Sequence, residues 1–197
     1  MKDSQVDELL YQALETELGG VQVYRKAIEC AVNEDLHTEW TGYLEETEEH
    51  VRIVEGVFDA LDLDTSTRTA GREIVRLKGE ALVHAMDQAL ASGDPLLAQL
   101  VAAECVVDAE TKDHANWELI GHVAESATGK RAEVLTAAYE QVEEEEDEHL
   151  YHTMGWAREL WIESLGLPAV LPPPEERKSV KTAIGASRAE QAREDML

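Results

Sequence analysis

Glu46-Thr-Glu-Glu-His50 and, 64 residues further on, Glu110-Thr-Lys-Asp-His114 decide how this chain reads. Each step sets a carboxylate and an imidazole four residues apart, on one face of a helix. Each falls inside an apolar stripe, where an ionisable pair is costly unless something holds it. A third face of the same kind comes from Glu145, Glu146 and His149. Together they point to a metal site inside a bundle of helices.

Working outward, helical periodicity dominates the chain. The first helix is expected over about residues 4–31, where Leu10, Leu14, Val21, Tyr24 and Ile28 form a stripe that takes in Glu17. Asn33-Glu34-Asp35 turns the chain into a second helix, reaching to about residue 63. Its stripe is Trp40, Tyr43, Thr47, His50, Val54 and Val57, with Glu46 at the edge. A shorter helix at about 71–91 is expected to turn Ile74, Leu77, Leu82 and Met86 inward. Pro95 suits the first turn of a third long helix, whose stripe of Leu96, Leu100, Ala103, Val107 and Trp117 holds both Glu110 and His114. A fourth runs from Lys130 through Leu135, Val142, Glu145, His149, His152 and Trp156, with Gly166 as cap and Pro168 as stop. The expectation is an all-α, antiparallel four-helix bundle over residues 1–167, with a short crossover helix between two hairpins. The 64-residue echo supports a duplicated hairpin. Residues 168–197, opened by Leu171-Pro-Pro-Pro174, read as a flexible tail or a partner-binding segment.

The candidate ligands meet if depth is counted from the turns at 1.5 Å per residue. A turn near Glu34 sets Glu17 opposite Val51, beside His50, and a turn near Thr128 sets Glu110 opposite Glu146. Glu49 and Asp113 are the alternatives if the helix phases differ slightly, and either Glu145 or Glu146 can face inward. Imidazole and carboxylate suit iron, manganese and zinc. Several carboxylates in one apolar core repel one another when empty, and bound cations remove the conflict.

Charge narrows the partners. The chain carries 17 Lys+Arg against 42 Asp+Glu, a net charge of -25. The stretch from Glu175 onward is balanced, so the helical body holds the excess. Such a field repels phosphate backbones and attracts cations, which argues against nucleic acid as a partner. Cys30 and Cys105 do not read as a disulfide framework. Neither a secretory h-region behind Met1 nor a run of 18 apolar residues is found, so a cytoplasmic setting without membrane insertion is expected.

Over about residues 5–165 the chain resembles the ferritin-like superfamily, rubrerythrin-like proteins and small bacterial stress proteins of that fold in particular. That pattern has a glutamate on the first helix, Glu-x-x-His on the second, a glutamate on the third and Glu-x-x-His on the fourth. Glu17 within Glu17-Leu-Gly-Gly-Val-Gln-Val-Tyr24 matches the first, Glu110 the third, and Glu146 with His149 the fourth. The second helix departs, with Thr47 three residues before His50 and Glu46 four before, and the third helix adds His114. The two cysteine pairs of a rubredoxin-like module are absent, so any electron donor would be a separate molecule. The resemblance implies two iron or manganese ions, with zinc an alternative, and carries over Glu17, Glu110, Glu146 and His149 as ligands; Glu46, His50 and His114 join the candidate set through their own spacing in the helical stripes. The resemblance also implies reaction with peroxide or oxygen, or oxidation of iron, in a homo-oligomer. Two other readings stand beside it: metal storage or handling without turnover, and a structural helical interaction module.

Overall fold

The computed structural model describes residues 2–197. It is all-helical, with seven α-helices and no strand among the described residues. Five are long: α1 (Asp3–Cys30), α2 (Glu34–Ala60), α3 (Ala70–Ala91), α4 (Pro95–Ser126) and α5 (Lys130–Ser164). Two short ones follow, α6 (Pro174–Arg177) and α7 (Ala183–Arg193), before a 3-10 turn at Glu194–Met196.

Helix boundaries follow local chemistry. Asn33 accepts from the backbone N–H groups of Asp35 and Leu36 and so starts α2. Thr69 does the same for α3 through Arg72 N. Asp94 caps α4, with Pro95 in the first turn, where a missing N–H costs nothing. Gly166, at φ 73°, ends α5, and Leu167 N reaches back to Ile162 O in a Schellman closure.

Cross-helix pairs give the directions. Tyr11 meets Phe58 and Tyr24 meets Tyr43, so α1 and α2 are antiparallel. Trp161 bonds Glu104 while His114 bonds Asp147, so α4 and α5 are too. Trp117 bonds Glu17, and Gln99 accepts from Val32 and Asn33 N, so α4 runs against α1. Glu39 pairs with Trp156 and His50 with Glu145, so α5 runs against α2. The remaining long helix, α3, packs on α1 and α4. Its buried residues are Val75, Met86 and Ala89, whereas Ile74 and Leu77, expected inward, are each 56% exposed. A helix lying on only two neighbours needs a narrow apolar stripe, and Val75, one step away on the wheel, supplies it.

The apolar core is split in two. One half contains Tyr24, Leu36, Trp40, Met86, Val106 and Trp156. The other contains Leu10, Leu14, Phe58, Trp117, Ile120 and Leu135. On α1, α2, α4 and α5 alike, one half ends and the other begins at mid-helix, and the residues at that break are ionisable.

From the sequence, the segment after Pro168 reads as a flexible tail or a partner-binding segment. It folds back on α5, burying Val170, Pro174, Glu175, Val180 and Ala189. Ion pairs also hold it. Arg158 grips Glu175 with two N–H donors at 2.5 and 2.8 Å. Glu159 accepts from Arg158, Arg193 and Val170 N.

Candidate metal centre

At the break between the two cores, Glu17, His50, Glu110, Asp113, Glu146 and His149 are all buried. Each histidine spans from the outside inward. His50 Nε2 lies 2.8 Å from Glu145 Oε2, and His149 Nε2 lies 2.7 Å from Glu46 Oε2. A carboxylate only accepts, so each Nε2 carries a hydrogen and each ring turns its Nδ1 inward. His50 Nδ1 is 3.0 Å from Glu146 Oε1 and 3.8 Å from Glu17 Oε2. His149 Nδ1 is 3.8 Å from Glu110 Oε2 and 3.9 Å from Glu146 Oε1. Two trios result, Glu17–His50–Glu146 and Glu110–Glu146–His149, and Glu146 belongs to both.

The inward atoms lack hydrogen-bond partners. Glu17 Oε2, Glu110 Oε2, Glu146 Oε2, Asp113 Oδ1 and both Nδ1 atoms are buried and unbonded. Other atoms of the same side chains are anchored. Trp117 Nε1 donates to Glu17 Oε1 at 2.8 Å, and Tyr24 sits beside Glu110. Buried polar groups are normally satisfied, so six orphans in one layer call for a missing partner. Six orphans of acceptor character call for a cation. Within each trio the ligand atoms lie within 4.8 Å of one another. Two metal–ligand bonds of about 2.0–2.2 Å span about 4 Å, a gap that a small carboxylate rotation closes.

Electrostatics agree. Burial, then the neighbouring Asp113 carboxylate, pushes Glu17 and Glu146 well above the usual carboxylate range. The same two causes push Glu110 up to about 8. Burial raises Asp113 to about 6 even though His50 pulls the other way. Burial works to lower both histidines. In His50 the Glu145 bond and the surrounding carboxylates outweigh it and the group ends raised, whereas His149 ends lowered. Without a cation, the raised carboxylates of this layer favour their protonated forms.

The seven residues singled out from the sequence divide. Glu17, His50, Glu110, Glu146 and His149 are brought together. Glu46 lies outside the ring of His149, its side chain 43% exposed. Thr47 takes the inner position of that helical turn, buried and donating to Tyr43 O. His114 is partly exposed and paired to Asp147 Oδ1 at 2.7 Å, away from both trios. Asp113, its neighbour in sequence, faces Glu17 and His50 instead. His114 and Asp147 help line a cavity of about 190 Å³ that reaches Glu146, with Glu118 and Glu143 also in its wall. The acidic wall of this cavity attracts cations and makes it the candidate passage to Glu146.

No protein-family model matches the chain, and no curated protein or solved structure matches it. The functional reading therefore rests on the geometry of this layer.

Proposed function

We propose that the chain is a ferritin-like four-helix bundle, formed by α1, α2, α4 and α5, that holds two iron or manganese ions and reacts with peroxide or oxygen. The observation that carries this reading is the set of six buried, unbonded carboxylate and imidazole atoms in the layer between two apolar cores. A nitrogen and two carboxylates per trio is a donor set suited to these metals. Glu146 belongs to both trios and is the bridging candidate. Glu17 and Asp113 would complete the half containing His50, and Glu110 the half containing His149.

When bound, the metals would supply the electrons that these side chains lack for reduction of peroxide or oxygen, and in iron oxidation the iron(II) held there would itself be the electron donor. The chain's own residues do the rest. Trp117 fixes Glu17 by one oxygen and leaves the other free to ligate. Glu145 and Glu46 hold the histidine rings in the tautomer that presents Nδ1. The two apolar layers keep water from the ion layer except through the acidic passage.

The test is metal content per chain, by mass spectrometry on untagged protein purified without chelator. About two ions per chain are expected, matching two trios with a shared ligand. No metal after anaerobic reconstitution with iron(II) and manganese(II) would leave a structural helical module. Metal that limiting peroxide fails to oxidise in a stopped-flow spectrometer would leave storage or handling without turnover.

A further inference from the structure

A second cluster, separate from the two trios, joins the tail to the helices. His152 on α5 points its Nδ1 at Glu176 Oε2 on α6, 2.9 Å away. Glu39 Oε1 on α2 and Glu148 Oε1 on α5 each stand 3.9 Å from the same nitrogen. Glu39, His152 and Glu176 offer ligand atoms within 4.8 Å of one another. The Glu39 side chain is only 7% exposed. Its Oε2 accepts from Trp156 Nε1 at 2.6 Å, but its Oε1, on the His152 side, is buried without a partner. A buried carboxylate oxygen left unbonded beside an imidazole nitrogen and a second carboxylate is a place where a cation would be held.

We propose that Glu39, His152 and Glu176, with Glu148 at the rim, form a mononuclear site for a first-row divalent cation that fastens the C-terminal segment to α2 and α5. Nitrogen plus carboxylate oxygens is a set for zinc, manganese or iron(II) rather than calcium. The hydroxyl of Tyr43, now 3.0 Å from His152 Nδ1, also lies beside Glu39 and turns to that carboxylate when the nitrogen ligates. Burial and the Glu176 charge raise Glu39 to about 8, the mark of a carboxylate short of positive charge. One ligand comes from the tail, so the ion binds tightly only when residues 174–177 are docked, and it slows their release.

The experiment compares the full chain with the Glu39→Gln/Glu176→Gln variant. Both are loaded with zinc(II) or with manganese(II), then freed of loose ions. The wild type is expected to hold one ion more per chain than the variant. Hydrogen exchange of residues 174–193 is expected to slow at least tenfold on metal addition in the wild type and to stay unchanged in the variant. Glu176→Gln alone, on a half-exposed tail residue, must abolish the same slowing; matching circular dichroism shows that the fold is kept. Equal ion content in wild type and double variant overturns the site, as does tail exchange in the wild type that ignores metal. Both chains share the central residues, so the comparison stands whether or not the central layer binds metal.

Discussion

His50 and His149 lie face to face across the interior, ring centroids 5.7 Å apart and planes 28° from parallel. Each gives its outer nitrogen to a carboxylate on the other's helix, His50 to Glu145 and His149 to Glu46. This reciprocal arrangement makes α2 and α5 set each other's imidazoles. Partners behind a ligating histidine fix its tautomer and raise its basicity, and losing one costs about 10–100-fold in metal affinity. Glu46→Gln and Glu145→Gln are therefore expected to keep the ions but to release them about 10–100-fold more readily to a competing chelator. Affinity unchanged in both variants would remove the positioning role.

Asp113 and His114 are neighbours in sequence with opposite placements. Asp113→Asn keeps size and removes charge, and is expected to weaken one ion of the pair by tenfold or more. His114→Leu, at the passage wall, is expected to leave both ions in place and to slow only their entry. Ion content and metal uptake rates of the two variants decide it. Loss of an ion from His114→Leu, with none from Asp113→Asn, would reverse the assignment.

The same pair shows how far the sequence could be read. Glu110 and Trp117 lie on the buried stripe whichever way α4 is phased by a few tens of degrees. The choice between the set Val106, Asp113, Ile120 and the set Val107, His114, Gly121 depends on that small rotation. Val106, Asp113 and Ile120 are the more buried, because α1 and α5 meet α4 on that side. Glu46 and Thr47 pose the same ambiguity on α2. The 64-residue echo relates α2 to α4, whereas the structure matches Glu17 with Glu110 and His50 with His149, so the echo is not the structural repeat. Long stripes and caps marked the helices because they are local. The Glu39–His152–Glu176 cluster was illegible because its third member arrives from a tail without periodicity.

The metal-free protein should lose stability as pH rises. Glu110 is held near 8 and Asp113 near 6, both above their ordinary values, and Glu17 and Glu146 are raised as well. A raised folded-state pKa means the folded chain binds the proton more tightly. The stabilisation is full below the unfolded value and disappears as pH climbs through the folded one. Each pKa unit is worth about 1.4 kcal/mol, and about 1 kcal/mol moves Tm by about 2–4 °C at this chain length. Between pH 6 and 8 the Tm of the metal-free chain is expected to fall by about 5 °C, while the metal-loaded chain holds or gains. Scanning calorimetry on both forms checks this; a rising Tm in the metal-free form would contradict it.

The docked tail combines buried apolar side chains with an ion-pair network. Arg158 neutralises Glu175 and shares Glu159 with Arg193, and both glutamates are buried. Arg158→Ala strands Glu175 without its partner, and breaking a buried pair from one side costs about 3–5 kcal/mol. That is more than so short a segment can absorb, so the tail undocks before the helices unfold. Gly155 tests the same contact sterically. A Cβ there would stand 2.9 Å from Glu175 Oε2 and 3.2 Å from Pro173 Cβ, so Gly155→Ala presses on the carboxylate that Arg158 holds. Both variants are expected to be cut by protease within residues 168–182 at least tenfold faster than the wild type, with the far-ultraviolet dichroism of α1 to α5 retained. Equal cleavage rates would mean that the tail is held by something other than this ion-pair network.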